Sequence, residues 1–368
     1  MALPNPGELT KKLLRFFKSG PKAKKMGFLS SFFKTGPEDI TDAEFVSVDI
    51  ERTDEDVAPV LRNISTGAVT IKTDVYTNKT IKPPYYALDW PLNTFDLMQR
   101  QPGDTEHENL GNWTVKLISL LIRGWNKMFQ MFIYAIELQA SQILQTGSLS
   151  INDEKGNATY ILDYLPKATH FPTTATSWSD HANATPLDDI DALADVIRDD
   201  GLVDVTDVIM GSGAYKNFIR NADVIALLDN RRMDIGNIAP AMAGMGAKLQ
   251  GVIRYSNYVY NIWTYNARFV DFFTRTKSKY MADDLVILLP AAEDLDFRKV
   301  YGGIPEVLPS MDPFNQFMPA RVTIGGVTDF KARVYADQKA NTITAELQMR
   351  PILIPVSIDR FGCLDTQI

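Results

Sequence analysis

The sequence predicts an α+β fold built around one long helix, and three observations lead there. Residues 112–146 carry an apolar stripe at helical spacing, β-prone sequence flanks them on both sides, and residues from 185 onward mix helical and strand patterns. In the stripe, Ile118, Ile122, Trp125, Phe129, Phe132, Ile136, Ala140 and Ile143 recur at steps of three or four. Lys116, Arg123, Lys127, Gln130, Glu137 and Gln142 fall on other faces, and Gly147 stands where a left-handed C-cap ends a helix. Such a rod is roughly 50 Å long, more than the ~30 Å of a small domain. On a chain without visible reaction chemistry it reads as a structural brace.

The remaining elements follow in chain order. Residues 1–34 hold eight Lys/Arg against one acid, Glu8, so this arm carries +7 and the remaining 334 residues carry −14. Leu13, Phe16 and Phe17 beside those lysines suit a short amphipathic segment that meets a partner surface, with a solvated tail as the alternative. After the turn-like run at 35–38, residues 45–50 alternate as a half-buried strand. Residues 53–97 are polar and β-prone, with alternation over 69–76 followed by Lys82, Pro83 and Pro84, and read as a two-stranded excursion. A lone hairpin is marginal in water, so this one is expected to lean on another subunit. Beyond the helix, strands are expected near 149–151 and 160–162, then a polar linker over 173–184. Thr185, Pro186 and Asp188 mark a helix start, with Leu187, Ile190, Leu193 and Ile197 continuing it. A strand at 204–210, a helix at 214–228 and strands at 252–263 and 285–289 complete a mixed module. A hairpin of 330–335 with 343–349 and a proline-bounded strand at 351–356 close the chain.

Hydrophobic content of 45% and charged content of 23% are those of an ordinary globular protein. Cys363 is the single cysteine, so no disulfide forms within the chain and a reducing site of synthesis is expected. Lys11, Lys12 and Arg15 interrupt any secretory signal. Lys116, Arg123 and Lys127 would each cost about 2.5–3.5 kcal/mol near a bilayer centre, so no membrane span is expected.

The candidate chemistry is thin. His107, among Asp104, Glu106 and Glu108, lacks a second histidine at helical spacing, and an acidic helix start explains the cluster without a metal. Gly211-Ser212-Gly213 after a strand imitates a dinucleotide loop, but Lys216 stands where the third glycine belongs. Gly244, Gly246 and Lys248 miss the phosphate-loop spacing, and no Gly-x-Ser-x-Gly occurs. Cys363 has no histidine nearby in sequence, and the acid pairs at 188–189, 199–200 and 283–284 read as solvated turns. Tyr255, Tyr258, Tyr260, Trp263 and Tyr265 read mostly as core. No catalytic, cofactor or metal residue is assigned.

The order of parts resembles the major capsid proteins of tailed bacteriophages with the Hong-Kong-97-type fold, and local stretches resemble the lambda-type family, phage major capsid protein E. Leu29-Ser30-Ser31-Phe32-Phe33 is similar to that family's N-terminal Phe-Phe segment. Ser177-Trp178-Ser179-Asp180 and then Pro186-Leu187-Asp188-Asp189-Ile190 resemble its Trp-Ser and Pro-x-Asp-Asp-Ile stretches. Asp229-Asn230-Arg231-Arg232 resembles its Asp-Thr-Arg-Arg turn, and Met349-Arg350-Pro351-Ile352-Leu353 its closing strand. The resemblance implies an N-arm (1–44), an E-loop region (45–100), a peripheral domain with a spine helix (101–184), an axial domain (185–335) and closing peripheral strands (336–368). It implies a shell protein, not an enzyme, forming hexamers and pentamers of an icosahedral head around double-stranded DNA without sequence specificity. Decoration, scaffolding and portal proteins are the implied partners, the virion head the implied location, and the host cytoplasm the implied place of assembly. Phe16, Phe17, Phe32, Phe33, Lys72, Lys79, Lys82, Pro83 and Pro84 are the expected inter-subunit contacts. Lysine–asparagine crosslinks, for which Lys72, Lys79, Lys82 and Asn341 are available, are not expected. The alternative is a nucleotide-binding α/β module on a helical stalk, using 211–213.

Overall fold

The computed structural model describes residues 27–41, 43–52, 75–93, 113–152, 158–230, 246–272, 274–304, 329–337 and 342–367. Phe16, Phe17, Lys72, Asn341 and the cluster at 104–108 lie outside the described residues, as does the side chain of Lys79.

Strands β1 (Val46–Arg52) and β2 (Val75–Ile81) pair antiparallel, from Val46 with Ile81 to Arg52 with Val75. They form the stem of the excursion. Strand β3 (Tyr86–Asn93), expected in that excursion, instead belongs to the body and pairs with a strand near the other end of the sequence. Its burial alternates because one face is turned inward, a pattern that sequence alone does not separate from an exposed hairpin.

The long helix α1 (Trp113–Thr146) spans 34 residues. Its buried seam runs through Leu117, Leu121, Trp125, Met128, Phe132, Ile136, Ala140 and Ile143. Ile118, Ile122 and Phe129 pack partly buried against the same core. The seam is thus rotated about one residue from the expected stripe in the first half of the helix. Apolar side chains there cover most of the circumference, so periodicity permits either face. Gly147 ends the helix at φ 65°, and its N–H donates to the Ile143 carbonyl at 2.7 Å. Among the described residues no helix is long and apolar enough to cross a membrane.

After the hairpin β4 (Ser148–Asn152) and β5 (Ala158–Asp163) comes α2 (Pro186–Gly201), then β6 (Val205–Met210). The single helix expected at 214–228 is two, α3 (Ser212–Phe218) and α4 (Ala222–Asn230), broken where the Asn221 side chain accepts from the Asp223 N–H at 3.0 Å. The strand expected at 252–263 is a hairpin, β7 (Ala247–Tyr255) and β8 (Tyr258–Tyr265), turning at Ser256 with φ 49°. A second hairpin, β9 (Arg268–Val270) and β10 (Lys277–Lys279), precedes β11 (Leu285–Pro290) and β12 (Phe297–Tyr301). Strands β13 (Lys331–Asp337), β14 (Thr342–Met349), β15 (Pro351–Pro355) and β16 (Gly362–Asp365) follow.

Two sheets organise the body. A three-stranded antiparallel sheet of order β13-β14-β3 lies on α1. A five-stranded sheet of order β16-β11-β6-β8-β7 has one parallel pair, β6 with β8. Its central strands divide two cores. Ile209, Ile287, Leu289 and Cys363 point into the core built on α1, while Val208, Met210, Val286, Leu288 and Leu364 point into the core covered by α2. The alternation of period two explains why these strands read as unbroken apolar runs. Strand β16 pairs with β11 in the five-stranded sheet, and β12 pairs with β15 outside that sheet. Local pattern marks a strand but not its partner.

Candidate functional site

The nucleotide reading fails at its own loop. A Cβ on Gly211 would collide with the carbonyl oxygens of Ala282 and Asp283, and the N–H groups of Gly213 and Ala214 donate to the Asp283 carbonyl at 3.0 and 2.8 Å. The Ser212 hydroxyl donates to the Asp283 carboxylate, which Lys279 also holds. The donors a phosphate would need are filled by the chain itself. Hydrogen bonds from Lys279 and Ser212 hold the Asp283 carboxyl below its usual range. Of the acid pair at 283–284, expected to be solvated, Asp283 is instead tied into this turn by its side chain. Cys363 is buried, and that burial pushes its thiol well up, away from the thiolate a nucleophile needs. Both ring nitrogens of His170 are engaged, with the Phe361 carbonyl at 2.8 Å and the Asp200 carboxylate at 3.0 Å. Among the described residues no cluster of metal-ligating side chains occurs.

What the structure builds instead is a pair of anchors for extended segments. The first roots the arm. Residues Leu29–Phe32 form a 3-10 turn whose free N–H groups point at α1. Glu137, fully buried on α1, accepts from the N–H groups of Phe28 at 3.0 Å, Leu29 at 2.8 Å and Ser30 at 2.9 Å. The Tyr265 hydroxyl donates to the same carboxylate at 2.7 Å. Burial and this carboxylate push the Tyr265 phenol far up, so it remains a donor. Aromatic packing completes the root. Phe28 lies against Phe32, Trp263 and Tyr265, and Phe33 stacks on Phe297 with centroids 4.9 Å apart. The arm then runs beside β12, with the Lys34 N–H donating to Phe297 and the Thr41 N–H to Tyr301.

The second anchor holds the base of the excursion. Arg350, buried between β14 and β15, donates to the carbonyls of Glu44 at 3.0 Å, Pro83 at 3.2 Å and Gly303. Both stems of the excursion, and a loop of the body, thus meet at one guanidinium. Val46, Ile81 and Pro83 are buried at this base, while Lys82 stays exposed and pairs with Glu44 at 2.6 Å.

A polar row on α1 ties it to the loop that leads from β10 into β11. Ser141 and Gln145 donate to the Tyr280 carbonyl, and Gln145 accepts from the Ala282 N–H at 3.0 Å. Across the five-stranded sheet, the hydroxyls of Tyr255, Tyr260 and Tyr258 donate to Asp188, Asp191 and Asp195 of α2 at 2.5, 3.1 and 2.7 Å. Asp189 takes the Trp178 Nε1 proton at 2.8 Å. The acids at 188–189 are bonded to aromatic residues instead of simply solvated.

Of the expected inter-subunit contacts, Phe32 and Phe33 are 8% and 2% exposed and packed within their own chain, and Pro83 is buried too. The aromatic pair anchors the arm's root, so its apolar surface is already covered. Lys82 and Pro84 retain exposed surface. Trp125, Phe132 and Ile136 are buried on α1, with Ile118, Ile122 and Phe129 partly buried beside them. Sequence reading missed both anchors. Glu137 counted there as one more polar residue of the helix, and Arg350 as part of a strand motif. The available signal was a charge flanked by apolar neighbours in each case, Ile136 and Leu138 or Met349 and Pro351.

Comparison with known proteins agrees with this architecture. A putative capsid protein of a prophage from E. coli CFT073 has 16% identity and a TM-score of 0.65, covering 97% of this chain and 98% of its own. A phage-related protein from Bordetella bronchiseptica has 11% identity and a TM-score of 0.51, covering 100% and 98%. At such identities these likenesses show the fold. A search of curated proteins found no match. The family described as Phage major capsid protein E matches residues 10–361, nearly the whole length, and the chain belongs to that family of phage major capsid proteins.

Proposed function

We propose that copies of this chain assemble into the closed icosahedral head of a tailed phage, as hexamers and pentamers around double-stranded DNA. The family match over residues 10–361 carries the reading. The two anchors support it, since a protein that must hold neighbours needs extended segments rooted in a stiff body. In this reading α1 is the spine, β1 and β2 are the stem of the E-loop, and the five-stranded sheet with α2 is the axial domain. Lys72, Lys79, Lys82 and Pro84 reach a neighbouring copy. Because Phe32 and Phe33 are covered within the chain, the arm's outward contacts fall to residues 1–26, including Phe16 and Phe17. Scaffolding, portal and decoration proteins act on the assembled shell, which forms in the host cytoplasm and ends in the virion. Sizing the purified protein by light scattering, with negative-stain electron microscopy, tests the proposal. Closed particles are the expected result, and a monodisperse monomer or dimer under all assembly conditions overturns it.

A further inference from the structure

The hairpin β9–β10 is a basic structure on an acidic axial domain. Residues 268–279 carry Arg268, Arg275, Lys277 and Lys279 against a single acid, Asp271. The register sets Lys277 opposite Val270 and Lys279 opposite Arg268, and directly opposed residues share a face. That face therefore joins Arg268 and Lys277 to Val270, with Arg275 and Phe272 at the turn, while Lys279 on the same face is already paired with Asp283. Val270 and Phe272 are 54% and 55% exposed, while Phe269 points the other way and packs on Tyr280 at 4.9 Å. Arg275 lies over the Phe272 ring at 5.0 Å, and the Asp271 carboxylate caps the turn by accepting from the Thr274 N–H at 2.8 Å. The hairpin is ordered by its own bonds, and among the described residues neither strand has another strand partner.

The complementary surface is on the same chain. From Pro186 to Asp204, α2 and its exit carry seven aspartates and one cation, Arg198. Asp200 pairs with Lys167 and Asp204 with Arg198, which leaves Asp188, Asp191, Asp195 and Asp199 along the helix as the acidic row. Asp188, Asp191 and Asp195 accept from neutral tyrosine hydroxyls, which orients the carboxylates without cancelling their charge. Leu202 at the end of this helix is 50% exposed.

We infer that the β9–β10 hairpin of one copy docks on the acidic face of α2 in the next copy, resting on the shell reading above. The contact joins two different surfaces, so it is head-to-tail and propagates round a ring. DNA is the weaker occupant for two reasons. Phosphates have no use for Val270 and Phe272, and the chain's net charge of −7 repels a polyanion.

The test compares the full-length chain with Arg275→Glu/Lys277→Glu, and with that variant carrying Asp188→Lys and Asp199→Lys as well. Particle yield is read by light scattering, and folding by circular dichroism of the unassembled fraction. Reversal of the hairpin should cut particle yield by about tenfold or more with folding intact, and the added reversal on α2 should restore it. Engineered Arg275→Cys and Asp199→Cys should give an inter-copy disulfide ladder on a non-reducing gel, since the native Cys363 is buried. Reversal variants that assemble at wild-type yield overturn the inference while leaving the shell reading intact. Retained assembly with lost binding of a short duplex DNA also overturns it and assigns the hairpin to nucleic acid. A wild-type chain that never assembles overturns both.

Discussion

The two anchors are mirror images in chemistry. At the arm's root a buried anion, Glu137, collects three backbone N–H groups, whereas at the excursion's base a buried cation, Arg350, collects three backbone carbonyls. In both, the charge belongs to the rigid body and meets the extended segment at its main chain. A segment held by its backbone is free to vary its side chains, which leaves those side chains for neighbours. The difference lies in what accompanies the charge. The arm's root adds stacked aromatics, while the excursion's base adds little beyond Val46, Ile81 and Pro83.

Breaking the first anchor should be the costlier act. Glu137→Ala leaves three N–H groups and the Tyr265 hydroxyl without their acceptor, and should lose on the order of 3–5 kcal/mol in urea unfolding. Glu137→Gln, which keeps one acceptor oxygen, should lose less. If the alanine variant unfolds with wild-type stability, the carboxylate is not what roots the arm. Arg350→Met should cost about 2–3 kcal/mol and, more tellingly, speed limited proteolysis within 44–83 while leaving the arm protected. Arg350→Lys should restore little, because one ammonium cannot span carbonyls set in a fork. Equal protease sensitivity at both segments would show that the anchors act as one unit.

A smaller effect probes the helix between them. A Cβ on Gly124 would meet the Trp90 ring at 2.6 Å. Gly124→Ala gains about 1 kcal/mol in helix propensity but loses about 1–3 kcal/mol to overpacking, so a net loss near 1 kcal/mol is expected. A rise in melting temperature would show that Trp90 yields easily.

The smallest is electrostatic and sits at the turn before β11. Asp283 has its carboxyl lowered from the usual 3.8 by hydrogen bonds from Lys279 and Ser212. A carboxyl depressed on folding stabilises in its ionised form, so this contribution is present above pH ~4 and fades as pH falls through the lower folded value. Asp283→Asn should lower the neutral plateau slightly and flatten the acid limb below pH ~4, so that the two stability curves converge in acid. An unchanged acid limb would show that the Lys279 contact is screened away.

What could be read in advance follows the range of the forces involved. The helix 113–146 was readable because its period, its length and Gly147 all act locally. So were the closing hairpin and the strand bounded by Pro351 and Pro355. The partner of β3 was not readable, because pairing with β14 joins residues more than 200 apart and leaves no local mark. The anchors were hidden for a related reason. Glu137 and Arg350 bind main chain, and every residue supplies a main-chain donor or acceptor, so no recognisable partner residue exists to be found. The tyrosine–aspartate pairs at 255–188 and 258–195 lay in plain view as two clusters, yet only the fold sets them side by side.

Strand β16 has a consequence in time. It occupies an edge of the five-stranded sheet, hydrogen-bonded to β11, and the Asp365 and Thr366 carbonyls accept from the N–H groups of Thr174 and Trp178. Strand β6, two places in, leaves the ribosome about 150 residues earlier, so at roughly 5–20 residues per second it waits some 8–30 s for the sheet to be completed. The five-stranded sheet therefore stays open beside β11 until β16 has emerged.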